Sequence, residues 1–506
     1  MKADNMKIIF IAAVTLFFVL IPLSIFAGVG ITSTWNGNGA DNNWNTNLNW
    51  VVPAPPPADS DIIFPAGANR LTNNNNIAAG TAFATVTFNG AGGGYNLGGN
   101  SFGINEELVA ANTAGDNTIN NDLFLGSSLA FTSTTAGTNL ILAGNLDLDG
   151  RTLTIAGAGN TEISGVISGT ASNMTKTGAG TLQLSADNTY DGSTILNEGN
   201  LLLDGSDISE STVTVDGGTL SGSGATGALT GTGGTISPGT SIGTMGVNGN
   251  LSLCPGSMLD IEINGKTAGT GYDQLIVTGS AALYNPVLNL TYGFTPEAGD
   301  SFIIINNDGA DLVTGTFNGL TPGTSVGPAN IPVVIDYDGG DGNDVALTVM
   351  AITIDDVAVN VGDSADETEA IFTISLSAPS ALAVNVDYAT ADGTATAPTD
   401  YTATSGTLTF EALELTKTIA VTLSGNSEAT GDKTFTVALT NPVNALISKA
   451  DGIGTIQYGT GGGGCGCVVV GGVVKNILPA SAIIFLLTIL ALVLNRFCRN
   501  RNRPYL

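Results

Sequence analysis

Over most of its length this chain alternates apolar and polar residues one by one. Leu146-Asp147-Leu148-Asp149-Gly150, Thr212-Val213-Thr214-Val215-Asp216-Gly217-Gly218 and Leu259-Asp260-Ile261-Glu262-Ile263-Asn264 show the pattern. A period of two puts one row of side chains on each face of an extended segment, so each stretch predicts a half-buried β-strand. The Gly and Asn residues that follow predict turns, Gly supplying the left-handed backbone. Helical periodicity is nearly absent between the termini. Strand and turn repeat over roughly 300 residues, which predicts a stacked solenoid rather than one compact sandwich. At ~25 residues per coil and ~4.8 Å per rung, roughly a dozen rungs are expected, with Asn and Thr ladders between them.

The rhythm changes near Met350. Phe372, Ile374 and Leu376 alternate with Thr373 and Ser375, and Val384, Val386 and Tyr388 with Asn385 and Asp387. Leu408 with Phe410, Ile419 with Val421, and Phe435 with Val437 and Leu439 continue the series. Short strands this dense predict an antiparallel β-sandwich over 350–458. The expected fold class is therefore all-β, a solenoid over 28–349 followed by a sandwich.

Both termini abandon the alternation. Lys2 and Lys7 precede an apolar stretch from Ile8 to Ile25, followed by Ala27 and Gly28. This reads as a secretory signal over 1–27 with cleavage after Ala27; an uncleaved anchor is the other reading. At the far end a Gly/Cys-rich linker, 459–476, contains Gly461-Gly462-Gly463-Gly464-Cys465-Gly466-Cys467. It leads into an uncharged run from Ile477 to Leu494, long enough to cross a bilayer as a helix. Arg496, Arg499, Arg501 and Arg503 in the tail 495–506 place that end in the cytoplasm and the body outside. The expected location is the cell envelope or cell surface, single-pass before any processing.

Charge sharpens this reading. The formal net charge is −29. Lys2, Lys7, Lys475 and the four tail arginines lie in the end segments, where Asp4 is the only acid, so the body between is more acidic still. Such a surface repels nucleic acid and anionic lipid. It keeps an exported protein soluble and leaves divalent cations as conceivable ligands. There is no histidine, which excludes Ser-His-Asp and Cys-His nucleophile systems and imidazole metal sites within this sequence. Cys254 stands alone in the body, so no disulfide framework is expected there.

Trp35, Trp44 and Trp50 are the only tryptophans and sit among Asn and Gly. Two readings compete: exposed rings that stack on carbohydrate, or a cap over the open end of the solenoid. The prolines between Val51 and Pro65 predict a stiff connector.

The segment Thr175-Lys176-Thr177-Gly178-Ala179-Gly180-Thr181-Leu182-Gln183-Leu184-Ser185, with Asn188-Thr189-Tyr190-Asp191-Gly192-Ser193-Thr194 and Asn197-Glu198-Gly199-Asn200-Leu201, closely resembles the autotransporter-associated β-strand repeat. The best match runs over 174–205. Ile236-Ser237-Pro238-Gly239-Thr240-Ser241, Tyr272-Asp273-Gln274-Leu275-Ile276-Val277 and Gly339-Gly340-Asp341-Gly342-Asn343-Asp344-Val345 also look like such passengers. The resemblance implies an extracellular, right-handed parallel β-helix. It implies that Leu182 and Leu184 point inward and that Ile195 and Leu201 reach the core of the next rung. The translocating β-barrel of autotransporters has no counterpart in this sequence.

Val386-Asp387-Tyr388-Ala389-Thr390-Ala391-Asp392-Gly393-Thr394-Ala395-Thr396-Ala397, Asp400-Tyr401 and Ser405-Gly406-Thr407-Leu408-Thr409-Phe410 closely resemble the Calx-beta domain. That family can bind calcium, which takes six to eight oxygens. The resemblance offers Asp355, Asp356, Asp363, Asp392 and Asp400 as metal ligands. Val361, Thr430, Lys433, Gln457 and Tyr458 stand where the family carries acids, and a lysine opposes a cation. A structural spacer with no cofactor is the preferred expectation, with calcium as the alternative. Gly339–Asp344 also matches a single calcium-binding nonapeptide unit, a site that requires stacked copies, so a closing turn is preferred.

The Gly/Cys segment, apolar run and basic tail together resemble the C-terminal sorting signals of Gram-negative bacteria known as CTERM. The resemblance makes Cys465 or Cys467 a processing or lipidation point for a sorting protease. A permanent anchor is the alternative. No catalytic constellation stands out; acid pairs arise by chance in so acidic a chain, and the expectation is that the protein is not an enzyme. The expected function is a surface-displayed structural or adhesive protein of a Gram-negative bacterium, meeting cell-surface or matrix glycans or proteins. The alternatives are a β-helix carbohydrate-active enzyme, lyase or hydrolase, and a calcium-dependent adhesion module.

Overall fold

The computed structural model describes residues 30–205, 211–308, 311–361, 368–425 and 431–458. Ala27, Asp363, Cys465, Cys467 and the 477–494 run lie outside these residues. Among the described residues no helix is long and apolar enough to cross a membrane. The described residues are all-β, with one short 3-10 turn at Asn47–Asn49.

Three long sheets run through the first part of the molecule. One has 16 strands, one has 11 and one has 6. Successive coils contribute one strand to each side and pair in parallel. Leu153 lies between Leu129 and Met174, and Thr161 pairs with Leu182, which pairs with Leu201. From Ala225–Thr226 onward the third side forms its own sheet through Thr244–Val247, Gln274–Val277 and Ser301–Asn307. It ends on the antiparallel strands Asp344–Val349 and Val333–Gly339.

The alternation in sequence becomes alternation of burial. Leu182, Leu184, Val213, Val215, Leu259, Ile261 and Ile263 all point into one continuous apolar core. One expectation is corrected. Ile195 does not reach the core; its neighbours Thr194 and Leu196 do. Thr194 is tolerated inside because its hydroxyl bonds the buried Tyr190 hydroxyl at 2.5 Å, so the inward register starts on a polar residue.

One corner of the coils is closed by glycine. Gly157, Gly178, Gly199, Gly218 and Gly234 stack coil upon coil, all with positive φ. A Cβ on Gly178 would stand 2.6 Å from backbone atoms of Gly157, so chirality and space both demand glycine. Polar ladders run alongside: Asn160 donates to the Asn139 amide oxygen at 3.1 Å and Asn120 to that of Asn96 at 2.6 Å.

Residues from Ala351 onward form a 4-stranded and a 5-stranded sheet around a second apolar core that includes Phe372, Phe410, Val421 and Phe435. Most ladders are antiparallel, as expected for a sandwich. Two are not: Ala351–Ile354 with Leu446–Ile447, and Val357–Val361 with Asp451–Tyr458, pair in parallel. These two first strands are consecutive in sequence and fall on different sheets, so each meets a late strand running its own way.

Candidate functional site

The clearest polar constellation lies at one end of the five-stranded sheet. Strand Val384–Asp392 ends on Asp392, the turn after it carries Asp400 and Tyr401, and strand Lys433–Val443 begins on Lys433. Asp400 is fully buried. Its carboxylate accepts the Thr396 backbone N–H at 3.0 Å, the Lys433 ammonium at 2.6 Å and the Tyr458 hydroxyl at 3.2 Å. Asp392 accepts the Tyr401 hydroxyl at 2.6 Å and the Ala397 N–H at 2.9 Å. The Tyr401 bond above all holds the Asp392 carboxyl below its ordinary pKa. Burial first, then Asp392, pushes the Tyr401 phenol up to about 12. Burial and the nearby Asp400 do the same for Tyr458. The Tyr401 ring stacks on Phe435 with centroids 4.6 Å apart, which ties the cluster to the core.

The other proposed ligands are elsewhere. Asp355 accepts the Thr373 N–H at 2.7 Å. Asp356 accepts the Ile453 N–H and the Lys449 ammonium, both at 2.8 Å. Ile453 and Tyr458 lie near opposite ends of strand Asp451–Tyr458, so Asp356 and Asp400 are roughly 15 Å apart along the sheet. Asp363 lies outside the described residues. Among those described, no three carboxylates gather as a metal group. The described surroundings of Asp400 do not suit a calcium ion at that carboxylate: it already meets a cation, the ammonium of Lys433, and its other partners are hydroxyl and N–H donors.

The Gly339–Asp344 segment is the turn between two antiparallel strands of the third sheet, with Gly340 and Gly342 at positive φ. Asp344 accepts the Asn307 N–H at 2.9 Å, and burial raises its pKa. The turn thus joins the last two strands of that sheet.

The three tryptophans are buried, not displayed. Their indole N–H groups donate to Arg70 O, the Asn73 amide oxygen and Trp44 O, each at 2.7 Å. Their rings pack edge-on to one another and against Phe64, Phe83 and Phe102. They form the end cap, and stacking of sugars on these rings is excluded by their burial.

Two groups escaped sequence reasoning. Lys176, in the repeat, is buried, and its ammonium donates to the carbonyls of Thr177, Gly178 and Glu198 at 3.1, 2.6 and 3.2 Å. Burial lowers its pKa to about 8. Asp273 is buried and accepts the N–H groups of Gly243 at 2.8 Å and Glu262 at 2.7 Å, tying the turn before Thr244–Val247 to the strand Met258–Ile263. Burial raises its pKa to about 6. A charged residue at an inward position of an alternating strand was the available signal for Lys176. On the solenoid surface a groove of about 490 Å³ is lined by Asp147, Asp149, Ser168, Thr170, Thr189 and Asp191.

Comparison with known proteins agrees with two of the resemblances. Residues 348–452 match the Calx-beta domain, and residues 174–203 match the passenger-associated-transport-repeat. An extracellular serine protease of Serratia marcescens is 32% identical over 183 residues, covering 35% of this chain and 17% of that protein. The chain thus matches under a fifth of that relative's length. Among solved structures, the apo-form Calx CBD1 domain is 20% identical, covering 22% of this chain and 96% of that one with a TM-score of 0.19. The Calx CBD2 domain is 17% identical, covering 22% and 88% with a TM-score of 0.20. The matched repeat and domain support an exported surface protein. The expectation that the protein is not an enzyme is corrected: a relative that is a protease leaves catalysis open. The similarity brings no histidine-dependent triad into these residues, since the chain has no histidine.

Proposed function

We propose that this protein is exported to the surface of a Gram-negative bacterium, where the solenoid and sandwich serve a structural or adhesive role. The observation that carries the reading is the pair of stacked coils built by residues 174–203. They match a passenger repeat, and a further coil pairs with them on either side. In this reading the solenoid winds right-handed, the signal is removed after Ala27, and residues 477–494 anchor the body or direct its sorting at Cys465 or Cys467. Cell-surface or matrix glycans or proteins are met by many weak contacts along successive coils, and the acidic body keeps nucleic acid away. Protease shaving of intact cells should release peptides from 30–458. Full protection of those residues sinks the reading. Mass spectrometry of the mature C-terminus separates a retained anchor, ending on Leu506, from a processed one.

A second reading is favoured by the acidic groove: hydrolysis or lyase chemistry on a polysaccharide. Its test is turnover of acidic and neutral glycans by the purified protein, lost in Asp147→Asn or Asp191→Asn.

A further inference from the structure

The eleven-stranded sheet ends on strand Val287–Tyr292. Val287 donates its N–H to Ser257 and Gly293 donates to Ile263, both at 2.9 Å, so the odd positions pair with the coil before. Strand alternation turns the N–H and C=O groups of Leu288, Leu290 and Tyr292 the other way, and no described residue pairs with them. The side chains of the same three residues are only half-buried against the core. Their register partners one coil earlier, Leu259, Ile261 and Ile263, are fully buried. One more strand completes the ladder and the inward row together.

Sheet edges are ordinarily blunted by charge, proline or a bulge. This strand reads Val-Leu-Asn-Leu-Thr-Tyr and carries none of these. The other sheets end differently. The six-stranded sheet turns back antiparallel, and the sixteen-stranded sheet stops on the three-residue strand Thr314–Thr316. On the outer face, Asp260 and Glu262 stand beside Asn289 and Thr291. An incoming strand therefore meets an apolar row within and an acidic surface without.

We infer that Val287–Tyr292 is a docking edge for an extended strand of another protein, with apolar residues at alternate positions and Lys or Arg between them. Backbone pairing supplies the affinity and the two faces supply the selectivity. A second copy of this chain is disfavoured by its net charge of −29. The edge stands apart from the adhesive reading, since a strand can dock whether or not the surface adheres to anything.

The probe is a fluorescent peptide, Lys-Val-Lys-Val-Lys-Ile-Lys-Val-Lys, with a scrambled peptide of the same composition, added to the full-length protein. Anisotropy should show saturable binding of the ordered peptide only. Hydrogen exchange should slow at the amides of Leu288, Leu290 and Tyr292. Thr291→Lys sets like charges side by side and should weaken binding about fivefold. A peptide with Glu for Lys should prefer that variant to the parent. Leu290→Pro, which removes one outward N–H, should abolish binding; if its circular dichroism shows misfolding, Thr291→Lys carries the test. Equal binding of the scrambled peptide, or unchanged exchange at 288–292, overturns the proposal. So does light scattering that shows a dimer closing this edge and excluding the peptide.

Discussion

Lys433 decides what the Asp400 carboxylate can hold. Its ammonium sits 2.6 Å from a fully buried Asp400 oxygen, where a divalent ion would need that oxygen for itself. Calcium at millimolar concentration should leave the sandwich's unfolding midpoint unchanged, and calorimetry should show no uptake. Lys433→Met should cost about 3 kcal/mol in urea unfolding followed by circular dichroism, because it strands a buried charge. Lys176 gives a pH signature. Unfolded, its amine holds a proton up to its ordinary pKa of 10.5; folded, only to about 8. Between those values the unfolded chain binds the extra proton, so the solenoid should grow more stable as pH rises above about 8. The rise should be absent in Lys176→Met, compared as urea midpoints at several pH values. The sequence hinted at both roles: Lys433 stands where the Calx-beta resemblance expects an acid, and Lys176 falls in phase with the inward Met174. Only the stacked corner shows why its ammonium belongs inside.

At the scale of one coil, glycine does what no other residue can. Gly178 has φ +78°, and its missing Cβ leaves room for the coil beneath. Gly178→Ala should cost more than about 2 kcal/mol, from left-handed strain plus a backbone clash. Hydrogen exchange should locate the loosening at the coils around 157 and 199. Strand alternation was legible in Leu182, Leu184, Val213 and Val215 because a half-buried strand has only two faces to choose between. Ile195 was misplaced for the same reason: the turn before it shifts the register by one, and a shift of one exchanges the faces. The parallel pairs at Val357–Val361 and Ala351–Ile354 were illegible, since pairing partners 95 to 97 residues apart leave no local mark. Trp35, Trp44 and Trp50 were recognisable as unusual, but only packing told a buried cap from a sugar platform.

The whole body rests on two apolar cores, one from Trp35 to Val349 and one from Val334 to Tyr458. Phe435→Ala should remove about 3–5 kcal/mol from the second core. Differential scanning calorimetry should show the loss mainly in one of two transitions, with the other set by the solenoid. Every tryptophan of the chain lies in the first coil of the first core. Indole emission is therefore an optical tag for one tip of the molecule. It should be blue-shifted and shielded from acrylamide in the native state. It should redden when the tip frays, and stay silent while the sandwich, far along the chain, melts unseen.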